Sequence, residues 1–231
     1  MSLDLHHRRP AVGVGVSKGH LGGAIHGERN AAAARASALV QAMIEVRIHG
    51  RGGQGNVVAA YLLATAAINH GDHALAFPAF GAERRGAPVA AFVRMAKQPF
   101  RRRDQVAHPD FLIVQDEALL HVPGILDGLK PGGGVLVNSR RAASDLGVEG
   151  NVQTVPASEL AIEHLGRPLP NAPLLAAFLL LSGALPIDAL KQAYSERFKG
   201  ATLAANLKLI DTAAAQVEAG AWQESADAAS A

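Results

Sequence analysis

Residues 44–55 read Ile-Glu-Val-Arg-Ile-His-Gly-Arg-Gly-Gly-Gln-Gly and are followed by a helical run over residues 56–69. The first part alternates apolar and polar side chains as a β-strand does. The glycines after it allow a tight turn. Strand, glycine turn and helix in this order are typical of the first unit of an open α/β sheet. The spacing Gly50-x-Gly52-x-x-Gly55 also matches the dinucleotide-binding pattern, in which a helix N-terminus attracts a pyrophosphate.

Strand-like and helical segments alternate along the rest of the chain. Strands are predicted at 73–77, 89–95, 111–114, 135–137 and 152–155, and α-helices at 117–129, 158–164, 171–182, 187–194 and 201–219. This pattern predicts an α/β fold that is Rossmann-like, with a mostly parallel sheet, helices on both faces and a helical C-terminal third.

The composition suits one compact domain. The chain has 231 residues, of which 49% are hydrophobic but only 4% aromatic, so its core must be built largely from alanine, valine, leucine and isoleucine. We expect residues 43–219 to form a single α/β domain, residues 1–42 a mobile arm and residues 220–231 a disordered tail. The apolar run at 174–185 is too short to cross a bilayer and predicts a core helix.

Cysteine and charge content exclude several kinds of function. The chain contains no cysteine, which excludes disulfides, thiolate zinc sites, a cysteine nucleophile and an iron–sulfur cluster held by this chain's own thiolates. The formal net charge is +2, and the excess lies in residues 1–42, so nucleic-acid binding has little electrostatic support. We expect a cytoplasmic protein, with any redox metal on a partner.

The glycine turn lacks the features of common nucleotide sites. An NAD site needs an acid at the end of the second strand, but Asp72 precedes that strand and Phe77-Pro78 ends it. No Gly-Lys-Ser/Thr sequence follows the turn, which excludes a P-loop. Two interpretations stay open: the turn only packs helix against sheet, or it receives an anionic cofactor or a partner subunit.

Residues 80–88, Phe-Gly-Ala-Glu-Arg-Arg-Gly-Ala-Pro, form a second unusual segment because charged residues stand between small ones. If the second strand runs parallel to the first, this loop lies at the same carboxyl edge as the glycine turn. Glu83 and Arg85 then either pair with each other or reach a partner's cofactor.

Three further features have simpler explanations. Arg94, Lys97 and residues 101–103 form the densest basic patch, which we interpret as a solvated loop rather than a site for a phosphate or an acidic protein. His49 is the histidine of most interest, because it ends the first strand directly before the glycine turn. Trp222 lies in the predicted tail.

Several of these motifs together carry a resemblance. Residues 51–55 after the first strand, residues 80–86, Val93-Arg94, residues 129–133 and Asn138-Ser139 resemble the gamma subunit, or gamma domain, of the thiamine-diphosphate-dependent 2-oxoacid:ferredoxin oxidoreductases. The similarity extends from Ile44 to Ala219. The pattern departs from the family at two positions: Ala82 stands where proline is usual, and Ala87 where a second glycine is usual.

The resemblance implies a subunit of a hetero-oligomeric enzyme that oxidatively decarboxylates a 2-oxo acid to an acyl-coenzyme A. It implies alpha and beta subunits that bind thiamine diphosphate with Mg, a ferredoxin-like delta subunit, 4Fe-4S clusters in partner chains, and ferredoxin or another electron acceptor. In such enzymes the gamma subunit packs on the thiamine-binding subunits and helps to enclose coenzyme A.

This chain is therefore expected to have no catalytic residue, no metal site, no membrane partner and no independent activity. Contacts to coenzyme A or to a partner subunit are expected at eight positions: Arg51, Gly52, Gly53, Gln54, Gly55, Glu83, Arg85 and Gly86. The 2-oxo acid stays open among pyruvate, 2-oxoglutarate, branched-chain acids, indolepyruvate and phenylglyoxylate. A stand-alone dinucleotide-binding oxidoreductase and a pure assembly scaffold are the alternative functions.

Overall fold

A computed structural model describes residues 43–79 and 87–230. The six strands are β1 (Met43–Arg51), β2 (His73–Pro78), β3 (Pro88–Ala96), β4 (Phe111–Val114), β5 (Gly134–Asn138) and β6 (Asn151–Val155). The six α-helices of the described residues are α1 (Asn56–Asn69), α2 (Ala157–Leu165), α3 (Asn171–Ser182), α4 (Ile187–Arg197), α5 (Gly200–Ala214) and α6 (Gln223–Ser230). Two short 3₁₀ helices, η1 (Glu117–His121) and η2 (Ala143–Leu146), complete the elements. The predicted arm, residues 1–42, lies outside the described residues.

The six strands form one sheet in the order β2-β3-β1-β4-β5-β6. Strands β1, β4, β5 and β6 pair in parallel, whereas β3 pairs antiparallel with both β1 and β2. Only β3 is reversed, because the segment 79–87 before it is too short for the crossover that a parallel neighbour requires. The predicted mostly parallel α/β sheet is confirmed.

One face of the sheet carries the main hydrophobic core, to which all six α-helices contribute. Helix α1 is rich in alanine and leucine because it is buried between the strands and the helices outside it. Helix α3, predicted from the apolar run, is almost entirely buried in the same core. No helix among the described residues is long and apolar enough to cross a membrane.

The second face of the sheet is covered differently from the prediction. Here Leu112, Val114 and Val135 pack against Leu119 and Ile125 of the segment that follows β4. The predicted α-helix over residues 117–129 is wrong: the chain forms only the five-residue helix η1 and then turns.

The physical reason lies in the residues after η1. Pro123 has no N–H to continue a helix, and Gly124 and Gly128 both have positive φ angles, of 88° and 75°. A Cβ atom on Gly128 would lie 2.0 Å from the carbonyl oxygen of Ala107, so only glycine allows this close approach.

Arg94 does not belong to an exposed basic patch. Its side chain is fully buried on the second face of the sheet, where it forms an ion pair of 2.8 Å with the buried Glu45. Its guanidinium also donates to the carbonyl oxygen of Asp104 at 2.6 Å. Two other members of the predicted patch are paired as well: Lys97 contacts Asp72, and Arg102 contacts Asp104.

The C-terminal segment around Trp222 packs against the core, whereas the sequence predicts a disordered tail over residues 220–231. Trp222 is 2% exposed and stacks on Phe111 with ring centroids 5.8 Å apart. Its backbone N–H donates to the carbonyl oxygen of Leu181 at 2.7 Å, and helix α6 follows it directly. The ring lies over Gly134, where a Cβ atom would be only 2.7 Å from the indole.

Candidate functional site

The glycine turn after β1, residues 51–55, lies at the carboxyl edge of the sheet. Strand β1 lies between two parts of the sheet: β3 and β2 are on one side of it, and β4, β5 and β6 are on the other. Open α/β sheets bind ligands at such a switch point, because the loops that follow neighbouring strands diverge there. The position of the turn therefore agrees with a ligand-facing or partner-facing role.

The turn is held by its own hydrogen bonds. Gly52 N–H donates to the carbonyl oxygen of Ala87 at 3.0 Å, and Gln54 N–H donates to that of Arg51 at 3.0 Å. The side-chain oxygen of Gln54 accepts from the backbone N–H of Arg51 at 2.7 Å. Gly53 and Gly55 have φ angles of 97° and 79°, which side chains disfavour, so glycine is favoured at both positions.

The described residues leave the outer surface of the turn open. Gly53 is exposed, and a Cβ atom placed on it would meet no atom of the described residues within 4 Å. Gly55 is the N-cap of α1 and provides no side-chain cap, and the first turn of α1 contains no acidic residue. The N-terminal N–H groups of a helix are unsatisfied by its own carbonyls and carry a partial positive charge, so this end of α1 can accept an anion.

A chain of side-chain amides lies beneath the turn. The side-chain N–H of Gln115 donates to the side-chain oxygen of Asn171 at 2.7 Å, and Asn138 donates to the carbonyl oxygen of Gln115 at 2.9 Å. Asn138 also forms two hydrogen bonds with Ser158: its side-chain N–H donates to the serine hydroxyl, and its side-chain oxygen accepts from the serine backbone N–H. These residues connect the ends of β4 and β5 with the first turns of α2 and α3.

The amide chain explains two of the glycines. A Cβ atom on Gly50 would lie 2.8 Å from Oε1 of Gln115, and one on Gly55 would lie 2.7 Å from Nδ2 of Asn171. The same Gln115 Oε1 is buried and has no hydrogen-bond partner among the described residues. Sequence analysis missed Gln115 and Asn171. Their signal is that Gln115 directly follows a buried strand and Asn171 begins the helix after Pro170.

Arg51 is engaged in an ion pair within the site. Its Nε lies 2.5 Å from Oδ2 of Asp116, and both side chains are partly exposed. The other carboxylate oxygen of Asp116 accepts from the N–H of Ala118 and so caps η1. The arginine is therefore oriented by the segment after β4, and Asp116 is a third site residue that sequence analysis missed.

His49 is buried at the end of β1, and its ring is neutral at pH 7. Burial, and secondarily the positive charge of Arg47, lower the pKa of His49 to about 4. Its Nε2 accepts a hydrogen bond of 2.9 Å from Nε of Arg47, whose guanidinium also donates to the carbonyl oxygens of Ile125 and Asp127. The pair attaches the segment after η1 to the sheet, which is a structural role.

The structure brings together part of the predicted site. Arg51, Gly52, Gly53, Gln54 and Gly55 form the turn described above, whereas Glu83, Arg85 and Gly86 lie outside the described residues. The residues flanking that segment are at the same edge of the sheet: Ala79 N–H donates to the carbonyl oxygen of Ala90 at 2.8 Å, and Ala87 accepts from the turn itself.

The fold and the turn define an α/β protein of the Rossmann-like class with an uncapped glycine turn at the switch point. The sequence profile described as "pyruvate ferredoxin/flavodoxin oxidoreductase" matches residues 45–216. The chain belongs to this family.

Characterised relatives agree with this assignment. The pyruvate synthase subunit PorC of Methanothermobacter marburgensis is 47% identical over 158 residues, which cover 68% of this chain and 88% of that protein. The common gamma subunit of the pyruvate/ketoisovalerate oxidoreductases of Thermococcus kodakarensis is 40% identical over 176 residues, which cover 74% and 95%. The chain is thus a gamma subunit of a 2-oxoacid oxidoreductase, as the resemblance predicted.

Solved structures show the same fold. The pyruvate oxidoreductase subunit PORC of Thermotoga maritima superposes with a TM-score of 0.68 at 33% identity, covering 75% of this chain and 96% of that one. The 2-oxoglutarate:ferredoxin oxidoreductase of Magnetococcus marinus, with 2-oxoglutarate, coenzyme A and succinyl-CoA bound, has a TM-score of 0.63 at 21% identity. That match covers 77% of this chain and 32% of the larger one and establishes the fold alone.

Proposed function

We propose that this gamma subunit contributes its glycine turn, residues 51–55, to the wall of a coenzyme A path at the interface with the thiamine-binding subunits. The cytoplasmic complex oxidatively decarboxylates a 2-oxo acid, forms an acyl-coenzyme A and passes electrons to ferredoxin or another acceptor. This chain supplies binding surface and orientation, and the reacting groups belong to the other subunits.

The observation that carries the proposal is the open, uncapped N-terminus of α1. Coenzyme A carries a pyrophosphate and a 3′-phosphate, and phosphate oxygens suit the partial positive charge and free N–H groups at a helix N-terminus. A Cβ atom on Gly53 would meet no atom of the described residues within 4 Å, so a side chain at this position would occupy space that glycine leaves free. The coenzyme A-bound enzyme of similar fold supports the choice of this ligand.

The segment 80–86 belongs to the same proposal. Its two flanking residues, Ala79 and Ala87, are at the carboxyl edge of the sheet beside the turn. We propose that Glu83, Arg85 and Gly86 contact coenzyme A or a partner subunit there, with Arg85 providing a charge-assisted bond to a phosphate. Arg51 forms an ion pair with Asp116, so it can bind a phosphate of coenzyme A only if its guanidinium contacts Asp116 and the phosphate at the same time.

The remaining cofactors are assigned to partner chains. Iron–sulfur clusters need thiolate ligands, and this sequence contains no cysteine. We therefore place the 4Fe-4S clusters in a ferredoxin-like delta subunit or another partner. Thiamine diphosphate and its Mg ion are assigned to the alpha and beta subunits.

Pyruvate is the first 2-oxo acid to test, because the relatives named above are a pyruvate synthase subunit and a subunit common to pyruvate and ketoisovalerate enzymes. A gamma subunit shared by two such enzymes does not select the 2-oxo acid by itself. We propose that substrate choice lies in the thiamine-binding chains.

The experiment compares Gly53→Val with Gly132→Val in the assembled complex. Both glycines have positive φ angles, of 97° and 79°, and neither has a neighbour among the described residues within 4 Å of its Cβ position, so the two variants carry the same kind of backbone strain. Gly132 lies before β5, at the opposite edge of the sheet. We expect Gly53→Val alone to raise the KM for coenzyme A by about tenfold or more, equivalent to about 1.4 kcal/mol.

Three results contradict the proposal. An unchanged KM in Gly53→Val would mean that the turn is remote from the coenzyme. Loss of subunit assembly in that variant, with Gly132→Val intact, would favour a pure scaffold. Binding of NAD(P) by the isolated chain would favour a stand-alone dinucleotide-binding oxidoreductase.

A further inference from the structure

A cleft of about 330 Å³ lies between α1, the end of α2 and the first turns of α3 and α5. Its walls are mainly apolar, and the large apolar side chains among them are Val58, Leu62, Leu165, Leu169 and Phe198. The volume is at the lower end of the range of small-molecule pockets, ~300–1,000 Å³. A ligand with a compact apolar body fits these walls.

The polar groups around the cleft favour an anion. No aspartate or glutamate is among the described residues that line it, whereas His164 and Arg167 are. Arg167 is exposed and forms no ion pair within the described part of the chain. A negative group in the cleft therefore meets positive charge and no competing carboxylate from its walls.

The N-terminus of α5 opens into the same cleft. Ala201 and Thr202 in its first turn are lining residues. The N-cap residue, Lys199, forms no side-chain cap, and the first turn contains no acid. The helix has 15 residues, and its free N–H groups add to the positive potential at this end of the cleft.

Tyr194 provides an independent indication of a ligand. The residue lines the cleft and is 2% exposed, yet its hydroxyl has no hydrogen-bond partner among the described residues. Its ring is held by stacking on Phe198, with centroids 5.5 Å apart. Burial raises the pKa of Tyr194 despite the opposing charge of Arg197, so the phenol stays protonated and acts as a donor at neutral pH. The hydroxyl is not enclosed by protein atoms, so it can donate to a ligand in the cleft.

We infer that the cleft is a binding site for a small carboxylate with an apolar body. The carboxylate accepts hydrogen bonds from the first turn of α5 and from the hydroxyl of Tyr194, within reach of the charge of Arg167. The apolar body lies between Leu62 of α1 and Phe198. A neutral ligand would leave the charge of Arg167 without a counter-charge, and a cation would be repelled.

The test is a calorimetric titration of the full-length chain with phenylacetate and, as the neutral compound of the same shape, phenylacetamide. We expect phenylacetate to bind at least about tenfold more tightly, because the amide forms only neutral hydrogen bonds where the carboxylate forms charge-assisted ones. Tyr194→Phe keeps the ring and removes one hydrogen bond to a charged acceptor, and should weaken phenylacetate binding about tenfold. Arg167→Gln should weaken it as well. Arg101→Gln, which alters an exposed arginine outside the cleft, should not.

Equal binding of acid and amide, or phenylacetate binding that neither Tyr194→Phe nor Arg167→Gln weakens, would overturn the inference. Arg167 is exposed, so its variant keeps the test valid if Tyr194→Phe fails to fold. Loss of phenylacetate binding in the assembled complex would show that a partner subunit fills the cleft and would also overturn it. The proposed function is tested separately: Gly53→Val should leave phenylacetate binding unchanged, and competition by coenzyme A would contradict a separate carboxylate site.

Discussion

Gly55→Ala should destabilise the chain more than Gly53→Ala, although both replace a glycine of the same turn. Each residue has a positive φ angle, of 79° and 97° respectively, so alanine costs about 1–2 kcal/mol at either position from backbone conformation alone. At Gly53 no atom of the residues that the structure describes lies within 4 Å of the new Cβ, so we expect no further cost.

At Gly55 the new Cβ would lie 2.7 Å from Nδ2 of Asn171, well inside the usual contact distance of ~3.5–4.0 Å. Asn171 must then move, and the side-chain N–H of Gln115 loses the oxygen to which it donates at 2.7 Å. Leaving such a buried group unpaired costs about 1–3 kcal/mol. The expected total is about 2–5 kcal/mol for Gly55→Ala.

Urea unfolding of the full-length chain, followed by circular dichroism, measures the loss in the free energy of unfolding for each variant. The two losses can be compared directly if the variants have the same dependence of this free energy on urea concentration. The variant Asn171→Ala removes the obstructing amide, so Gly55→Ala should cost only about 1–2 kcal/mol in its presence. Equal losses for Gly53→Ala and Gly55→Ala, or additive losses in the double variant, would refute the contact between the turn and the amide chain.

Two further predictions concern buried side chains outside the turn. The folded pKa of His49, about 4, lies below its unfolded value of 6.5, so the unfolded chain binds more protons between these pH values and stability should fall with decreasing pH. Between pH 7 and pH 5 this residue should account for a loss of about 2 kcal/mol in the free energy of unfolding, which His49→Gln should remove; an unchanged pH dependence would contradict a buried neutral ring. Trp222→Ala should destabilise the chain by about 3–5 kcal/mol, because the indole fills the space over Gly134 and stacks on Phe111. A loss below about 1 kcal/mol in urea unfolding would mean that the C-terminal segment is not part of the core.

The α/β fold and the glycine turn were predictable because they depend on local pattern. The alternation over residues 44–48 reflects the two faces of β1, and the apolar run at 174–185 reflects the burial of α3. Both patterns repeat over neighbouring residues, so they can be seen in the sequence. The helix predicted over residues 117–129 does not form beyond residue 121, although most residue types in this segment are common in helices. The close approach of Gly128 to Ala107, which favours turns there, is a contact between residues distant in sequence.

The candidate site divides in the same way. Arg51 to Gly55 could be identified from glycine spacing, since positive φ angles are a property of single residues. Gln115, Asp116 and Asn171 could not, because their importance arises only when three parts of the chain meet at one edge of the sheet.

The sequence alone determines the class of fold, the position of the turn, the family resemblance and the lack of thiolate ligands. Each of these depends on residue type or on spacing along the chain. The reversed strand β3, the burial of Arg94 and Trp222, and the cleft beside Tyr194 are properties of the folded chain alone. They depend on which residues from distant parts of the chain pack together and exclude water. Such packing arises only in the assembled core, so no single segment determines it.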